Sequence, residues 1–594
     1  MNQAFLPITK KELEERGIGQ PDFILVTPDA YVDHPSFANA LIGRYLESLG
    51  YTVAILAQPN FGDKRAYKAL GKPKLAFLVS GGNMDSMVNL YSANRARRKY
   101  DMYSPGGEVL RPRRAVTVYS KMLREVYPDV PIIIGGIEAS LRRLAHYDYW
   151  DNKVMPSVLV DSEADLLVYG MGEKPLAQIA EALMAGIAIS DITYVRGTAY
   201  LGQSPEQVYE EKVVLPSFEE VAENKTAFAK AFAASYKEQD YIRGKVLIQR
   251  HGDRYLVQNP PAEPLSEMEF DDIYALPFTR EAHPSYEKEI PALQEVKFSL
   301  VSNRGCYGGC AFCAIFFHQG RYIQSRSTKS LVEEAEQLAQ RKDFKGYIHD
   351  VGGPTANFTR LSCKKAEERG MCAERRCLSP KPCPNLIVDH SKYLESLRAL
   401  RKVKGVKKVF VRSGVRYDYA VLDRDDTFIK ELACYHTSGQ MKVAPEHCAK
   451  QVLNLMGKPG IEVYEKFVRK FETASTQAGK KQHVLPYFIC SHPGCTLKDA
   501  VELAEYLKKS GFVPDQVQDF YPTPGSVSTC MYYTGLDPFT LKPVYTAKSR
   551  EDRAMQRALL QFNKPGNYPM VKKALLKAGR GDLIGTGEKC LIKG

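Results

Sequence analysis

The first third of the chain alternates short apolar runs with apolar positions at helical spacing. Residues 23–26 are a short apolar run, and residues 52–56 are a second run typical of a buried strand. Residues 41–49 between them carry helix-spaced apolar side chains before Gly50. KLAFLVSGG and VPIIIGGIEAS each end in two glycines where a helix begins, and ADLLVYGMGEKP adds one more strand and helix. This alternation predicts a doubly wound parallel sheet with its ligand crevice at the carboxyl ends of the strands.

The alternation weakens between residues 196 and 293 and then returns. We interpret 196–293 as a connecting segment, because helical stretches there give way to proline- and acid-rich sequence. Six strand-like runs follow, in EVKFSLVSNRGC, KGYIHDVGG, KKVFVRSG, GQMKVAPEH, QHVLPYFICSHPG and DQVQDFYPTPGS. Together with the first part of the chain, these runs predict an α/β protein. It would have a Rossmann-like domain over residues 1–195, a partial (β/α)6 barrel of the TIM type over 294–530, and a tail of helices and loops over 531–594. Barrels of this type carry their active site at the strand carboxyl ends.

Composition narrows the class of protein. Of 594 residues, 44% are hydrophobic and 25% charged, as in ordinary soluble globular proteins. The N-terminus lacks the apolar segment of a signal peptide, and no run approaches the roughly 18 apolar residues of a membrane span. We therefore expect a cytoplasmic protein without membrane contact. The net charge of +13 is compatible with a nucleic-acid partner, but the basic runs are short and scattered, which favours a solvated surface.

The positions of the cysteines indicate a chemical function. None of the 13 precedes Cys306, and such clustering in a reducing compartment favours metal binding or catalysis over disulfides. Three of them lie within RGCYGGCAFCAIF: Cys306, Cys310 and Cys313. Iron–sulfur cubanes and structural zinc both normally take four protein ligands, so three would leave one iron open to a small molecule. The alternatives are a zinc knuckle that borrows a ligand such as His318, or three unrelated buried thiols.

This C-x3-C-x2-C loop, with Phe312 before its last cysteine, resembles the cluster loop of the radical S-adenosylmethionine superfamily. GGIEASLRRLAHYDYWD, HDVGGPTANF and MKVAPEHCAKQVLNLMGKPG resemble the YgiQ family, and the resemblance covers nearly the whole chain. It implies a 4Fe–4S cluster on the three cysteines and S-adenosylmethionine on the open iron. One-electron reduction, by a flavodoxin- or ferredoxin-type protein, would then yield a 5′-deoxyadenosyl radical that abstracts hydrogen from a substrate. Neither the substrate nor a catalytic side chain is indicated.

The resemblance also implies positions that contact S-adenosylmethionine. Gly352 and Gly353 lie where the superfamily keeps a Gly-Gly-Glu motif near the methionine amine. Here Pro354 takes the third position, which leaves only backbone carbonyls for that contact. The same rim carries three polar candidates: Ser413, Lys442 and Glu446. A carboxylate there suits ribose hydroxyls and a lysine suits the methionine carboxylate, whereas the alternative for each is a surface salt bridge of little consequence.

The first domain resembles the cobalamin-binding domains that precede the barrel in some relatives. The twin glycines Gly135 and Gly136 and the GMGE at Gly170 fit that resemblance. Cobalamin ligation in the best-known subset uses Asp-x-His-x-x-Gly, but here His34 directly follows Asp33. The sequence therefore favours a docking scaffold over a cobalamin site.

A second group of cysteines lies in an insert over residues 360–385: Cys363, Cys372, Cys377 and Cys383. The surrounding CKKAEERGMCAERRCLSPKPCP is charged and proline-rich, so it offers no apolar strand or helix in which they could pack as core thiols. A second iron–sulfur cluster or a zinc site would explain them, and the absence of any metal role stays open.

Three functions are compatible with these patterns. A radical S-adenosylmethionine enzyme is favoured. An iron–sulfur sensor of redox state or iron would need no substrate pocket. A methylthiotransferase-like enzyme that modifies tRNA or protein shares the barrel and suits the positive charge, but such enzymes normally add an RNA-binding domain, and the last 60 or so residues show too few strands for one.

Overall fold

A nine-stranded sheet forms the centre of the first half of the chain in a computed structural model that describes residues 5–593. Five neighbouring strands are parallel and lie in the order Val53–Ala57, Phe23–Thr27, Ala76–Ser80, Ile132–Gly135 and Leu166–Val168. Each is the apolar run that predicted it, because a parallel strand covered on both faces needs no polar alternation. The prediction of an α/β fold with a large parallel sheet is confirmed.

Helices cover both faces of this sheet, as a doubly wound arrangement requires. In strand Phe23–Thr27, Phe23 and Leu25 belong to one apolar cluster and Ile24 and Val26 to another. The first cluster includes side chains of two helices, Ala38–Ser48 and Glu173–Met184. The second includes side chains of helix Ala115–Val126. Successive side chains of one strand therefore bury against opposite helical layers.

Residues 196–293, predicted as a connecting segment, extend the same sheet. Four strands continue it in the order Thr198–Gly202, Arg254–Gln258, Val246–His251 and Lys212–Leu215. The first three of these pair antiparallel with their preceding neighbours. The outermost strand is largely exposed, and only Leu215 in it is buried. Two helices complete this region, Glu267–Tyr274 and Pro291–Val296.

The second half of the chain contains short parallel pairings that follow chain order. Ser299–Val301 pairs with Asp350–Gly352, and Tyr347–Ile348 pairs with Lys408–Val409. The longer strands Gln440–Glu446 and His483–Cys490 pair with each other, and the second of them pairs with Gln518–Asp519. Four long helices lie between these segments: Thr328–Ala339, Ser391–Leu400, Ile461–Gln477 and Leu497–Ser510. The partial barrel and its domain bounds stay predictions that this order fits.

The C-terminal residues pack into the largest apolar cluster. Helix Arg550–Leu560 contributes Leu559, and helix Tyr568–Lys577 contributes Leu575, against side chains of helix Leu497–Ser510. The predicted tail is thus a helical layer attached to the barrel region. Among the helices of residues 5–593, none has the length and apolarity that a membrane crossing requires.

Burial of histidines gives this fold a predicted acid sensitivity. Burial lowers the pKa of six histidines to between about 3 and about 4: His146, His318, His390, His436, His447 and His492. They stay neutral in the folded protein but bind protons in the unfolded chain once the pH falls below about 6.5. The free energy of unfolding should therefore fall between pH 6.5 and about pH 4, by up to about 1.4 kcal/mol per pH unit and histidine.

A single variant tests this expectation. His447→Asn keeps an acceptor for the N–H of Ala449, which donates to Nδ1 of His447 at 3.0 Å, but removes the titrating ring. Thermal unfolding at pH 7 and pH 5 should show a smaller acid-induced loss in this variant than in the wild type. The exposed His483→Asn should keep the wild-type loss. An unchanged loss in His447→Asn would show that His447 is not buried in its neutral form.

Candidate functional site

The predicted cluster loop lies between strand Asn303–Arg304 and helix Ile315–Gln319. It carries three partly exposed thiols: Cys306, Cys310 and Cys313. Later segments hold the loop through backbone hydrogen bonds. The N–H of Ala311 donates to the carbonyl of Met456 (2.8 Å), and the N–H of Ser528 donates to the carbonyl of Ala311 (2.9 Å). The loop is thus fixed from outside as well as by its own turns.

A glycine and an aromatic residue fit the loop to its surroundings. Gly305 has a φ of +84°, and a Cβ there would lie 1.9 Å from the carbonyl oxygen of Tyr322, so no other residue fits. The ring of Phe312 meets the ring of His492 edge-on, with centroids 6.2 Å apart. Phe312 therefore anchors the loop to the turn that follows strand His483–Cys490.

The three thiols lie within electrostatic reach of one another. Burial raises the pKa of Cys313 to about 12, and the neighbouring Cys310 and Cys306 contribute to that rise. Within residues 5–593, no three His, Cys, Asp or Glu side chains converge as they would around a single metal ion. A cubane does not need such convergence, because each of its thiolates binds a different iron. Loading a metal would release the thiol protons.

His318, the alternative fourth ligand, is engaged with the first domain. Its Nδ1 lies 3.0 Å from Oγ of Ser140, which also accepts the N–H of Gly170. Burial lowers the pKa of His318 to about 4, so the ring is neutral at pH 7. The structure gives no contact between His318 and the thiols.

A buried guanidinium that the sequence analysis missed faces the thiols. Nη1 of Arg416 donates to Sγ of Cys310 (3.1 Å), while its Nε and Nη2 donate to the carboxylate of Asp418 (2.9 and 2.6 Å). Burial raises the pKa of Cys306, and Arg416 lowers it again, as does Thr355, whose Oγ1 lies 3.3 Å from Sγ of Cys306. Such donors compensate negative charge on cluster thiolates. The only sequence signal was the RYD that ends VRSGVRYD.

The predicted Gly-Gly turn touches the strand that leads into the loop. Gly352 ends strand Asp350–Gly352, and Gly353 and Pro354 follow. A Cβ at Gly353 would lie 2.2 Å from the carbonyl oxygen of Asn303. Glycine is therefore needed here for close packing, and a larger residue would push on the cluster loop itself.

Two of the three polar rim candidates, Ser413 and Lys442, are not buried, whereas the third, Glu446, is buried. Asp350 accepts the N–H groups of Arg412 (2.7 Å) and Ser413 (3.0 Å), and the Ser413 hydroxyl also donates to it. Ser413 thus links the segment after strand Lys408–Val409 to strand Asp350–Gly352. Lys442 is exposed on strand Gln440–Glu446. Their contacts with S-adenosylmethionine stay predictions.

Glu446 is the rim candidate in which one carboxyl oxygen, Oε2, lacks a hydrogen-bond donor among the described residues. Its side chain is buried, its φ is +72°, and it lies where the pairing with the next strand becomes irregular. Oε2 has no hydrogen-bond partner among residues 5–593, and Nζ of Lys458 lies 3.9 Å from Oε1. Burial raises the pKa of Glu446, and Lys458 and Arg416 lower it. A buried acceptor without a donor is costly, and strained backbone is common at ligand sites.

The second group of cysteines packs behind the first loop. All four are partly exposed thiols: Cys363, Cys372, Cys377 and Cys383. Cys363 and Cys377 contact an apolar cluster that includes Tyr307, and Cys306 contacts the same cluster.

A cleft of about 530 Å³ separates the carboxyl edge of the sheet from the cluster loop. Gly135 and Gly136 lie on one wall, and Asn303, His318 and Gly353 lie on the other. The crevice predicted at the strand ends is therefore present, and it opens toward the predicted S-adenosylmethionine site.

Asp33 and His34, which lack the spacing of a cobalamin ligand motif, have structural partners. Nη2 of Arg44 donates to Oδ2 of Asp33 (2.6 Å), and Nε2 of His34 lies 3.0 Å from Nη1 of Arg280. Both side chains are fully buried. Neither lines the cleft.

Two family models and curated relatives match this chain. A model described as Radical SAM N-terminal matches residues 5–299, and a domain of unknown function, DUF3362, matches residues 515–594. A UPF0313 protein of Clostridium botulinum (strain 657 / Type Ba4) is 57% identical over 596 residues, covering 100% of this chain and 93% of that protein. A UPF0313 protein of Clostridium perfringens (strain 13 / Type A) is 56% identical over 592 residues, covering 99% and 89%.

Solved structures show a weaker likeness. The radical S-adenosylmethionine methyltransferase TsrM of Kitasatospora setae, solved with its tryptophan substrate and a S-adenosylmethionine analogue, shares 15% identity at a TM-score of 0.46, over 86% of this chain and 76% of that one. The cobalamin-dependent S-adenosylmethionine radical enzyme OxsB, solved with aqua-cobalamin, shares 12% identity at a TM-score of 0.46, over 88% and 56%.

The contact between Arg416 and Cys310 predicts a shift in redox potential. A nearby positive charge stabilises the more negative, reduced state of a cluster, so Arg416→Gln should lower its midpoint potential by about 60 mV, a tenfold change for one electron. Anaerobic titration followed by electron paramagnetic resonance measures this. Arg412→Gln, exposed in the same segment, is the matched control and should leave the potential unchanged. Equal midpoint potentials in the wild type and Arg416→Gln would show that Arg416 does not influence a cluster on this loop.

Proposed function

The chain belongs to the UPF0313 family of YgiQ-type radical S-adenosylmethionine enzymes, and we propose that it cleaves S-adenosylmethionine reductively at a cluster held by Cys306, Cys310 and Cys313. When bound, the reduced 4Fe–4S cluster supplies one electron to the sulfonium, whose bond to C5′ breaks to give methionine and a 5′-deoxyadenosyl radical. We expect the electron to come from a flavodoxin- or ferredoxin-type protein of the cytoplasm.

Among the protein's own groups, the unpartnered Oε2 of Glu446 gives this proposal its main support. It is a buried acceptor within electrostatic reach of Arg416, which donates to Cys310. A ribose hydroxyl or the methionine amine of S-adenosylmethionine would supply the missing donor. A protein that only sensed redox state through its cluster would have no use for this acceptor.

The remaining residues of the site orient the cluster and S-adenosylmethionine and enclose them. Arg416, held by Asp418, keeps a fixed donor on Cys310. The turn at Gly352 and Gly353 offers backbone carbonyls next to the loop, and Lys442 provides a cation for the methionine carboxylate. No proton-transfer residue is assigned, since hydrogen abstraction by a carbon radical needs none.

We place the substrate in the cleft between the sheet and the cluster loop. Its volume of about 530 Å³ is that of an ordinary small-molecule site, and apolar side chains dominate its lining. A corrinoid is the second candidate occupant, because the cleft lies where doubly wound sheets bind ligands. The methylthiotransferase-like alternative differs in its product, since it would transfer a methylthio group to tRNA or protein.

The first test is the cleavage itself. Anaerobically reconstituted protein should release 5′-deoxyadenosine from S-adenosylmethionine when reduced with dithionite, and the Cys306→Ala, Cys310→Ala, Cys313→Ala triple variant should release none. Glu446→Gln should weaken S-adenosylmethionine binding by about tenfold at an unchanged iron content, because it replaces one carboxyl oxygen, an acceptor, with an amide N–H donor. Glu472→Gln, exposed on helix Ile461–Gln477, is the matched control.

One outcome would contradict the cleavage reaction, and another would contradict only the role of Glu446. A fully loaded cluster that neither forms 5′-deoxyadenosine nor changes its electron paramagnetic resonance signal with S-adenosylmethionine would indicate a sensor. Equal affinities in the wild type and Glu446→Gln would remove Glu446 from the site while leaving the cleavage reaction standing.

A corrinoid test separates the two occupants of the cleft. If the cleft holds the substrate, hydroxocobalamin should change neither the rate of 5′-deoxyadenosine release nor, after gel filtration, the visible spectrum of the protein. Stoichiometric retention of the corrinoid, lost in Ile137→Trp, which narrows the cleft, would instead assign the cleft to a cobalamin-type cofactor.

A further inference from the structure

The cysteine-rich insert is a long segment with little regular structure. Between strand Asp350–Gly352 and helix Ser391–Leu400, the only helix is Lys364–Arg369. Loops of this length are uncommon inside compact domains unless they are functional or held by added constraints. The four cysteines here are free thiols, so no disulfide supplies that constraint.

The insert nevertheless gathers its cysteines. The N–H of Cys383 donates to the carbonyl of Cys377 (2.8 Å), which brings the end of the insert back against its middle. Burial raises the pKa of the Cys377 thiol, and Cys363 and Cys372 are close enough to influence it as well. Positions from residue 363 to residue 383 therefore meet around Cys377.

A buried arginine lies beside this group without a full set of partners. Arg321 is 5% exposed, and its Nη1 and Nη2 donate to the carbonyls of Cys372 (2.6 Å) and Arg375 (3.3 Å). Its guanidinium lies over the ring of Phe316, 5.9 Å from the ring centroid. In the part of the chain that the structure describes, its Nε has no hydrogen-bond acceptor and its guanidinium has no carboxylate partner. A buried cation without an anion is costly, so a negative group is expected here. Thiolate or cluster sulfur at Cys377 would provide it.

The group lies close to the first cluster loop. The rings of Tyr307 and Phe358 stack with centroids 3.8 Å apart inside one apolar cluster. Cys306 of the first loop and Cys363 and Cys377 of the insert all pack against that cluster. A metal centre in the insert would therefore border the same apolar cluster as the first loop.

We propose that Cys363, Cys372, Cys377 and Cys383 hold a second iron–sulfur cluster of the 4Fe–4S type. Four thiolates would bind all four irons, so this cluster would offer no open position for S-adenosylmethionine. A zinc ion would need the four sulfurs around one point, and no three His, Cys, Asp or Glu side chains of residues 5–593 converge in that way. A cubane binds each thiolate at a different iron, so its ligands stand further apart. The proposal concerns iron content alone and does not depend on the cleavage reaction.

Four proteins, reconstituted anaerobically with iron and sulfide, test it. The wild type should hold about eight irons per chain, because each 4Fe–4S cluster contributes four. The triple variant Cys306→Ala, Cys310→Ala, Cys313→Ala should hold about four, as should the quadruple variant with serine at the four insert positions. Cys434→Ser with Cys590→Ser, two partly exposed thiols elsewhere, is the matched control and should match the wild type.

The triple variant is decisive even if the quadruple variant does not fold. It should retain visible charge-transfer absorption and, after reduction, a cluster signal in electron paramagnetic resonance that S-adenosylmethionine does not alter. A triple variant without iron, or a quadruple variant with the iron content of the wild type, would overturn the proposal. Stoichiometric zinc in the triple variant in place of iron would overturn it in favour of a zinc site. Loss of 5′-deoxyadenosine formation alone bears only on the proposed function.

Discussion

The close approach between the Gly353 turn and the strand that enters the cysteine loop is the contact around which the site is built. At Gly353 even one added carbon would meet the carbonyl oxygen of Asn303 at 2.2 Å. Three residues after Asn303 comes Cys306, and two residues after Gly353 comes Thr355, whose hydroxyl lies 3.3 Å from the Cys306 sulfur. One glycine thus sets the distance between the thiols and the turn predicted to receive methionine. It also explains why the turn tolerates proline at 354 but has no room for a side chain at 353.

The first domain supports this contact from the other side. Arg304, two residues before Cys306, donates to the carboxylate of Glu173 at 2.5 Å, and both side chains are buried. Glu173 begins helix Glu173–Met184, directly after the glycines of GMGE. A buried ion pair contributes little net stability against apolar packing, but it fixes the two elements relative to each other. The domain therefore positions the cluster loop, and the cleft is the space left between the two bodies where they do not touch.

The sequence sufficed for features that are local or apolar. The parallel strands were predictable because burial on both faces demands unbroken apolar runs. The cysteine loop could be singled out because three cysteines fall within eight residues, and its role as a cluster site stays a prediction. It did not suffice for partners distant along the chain. Arg416 meets Cys310 across 106 residues, and nothing in RYD specifies that contact. The strands of residues 196–293 escaped prediction although Val246–His251 carries a buried apolar run. Their mostly antiparallel pairing breaks the strand–helix alternation that marked the parallel strands.

The two arginines beside the thiol groups differ in a way that bears on how the protein assembles. Arg416 already has the carboxylate of Asp418, so it is compensated before any metal arrives. Arg321 lies buried beside Cys377, and among the described residues its partners are two carbonyls and the ring of Phe316, with no carboxylate. A protonated thiol cannot balance that charge, whereas a metal drives off the thiol proton and leaves a thiolate. The free energy of metal binding would then offset the cost of the buried guanidinium, so that ordering of the insert and loading of its cysteines become one event.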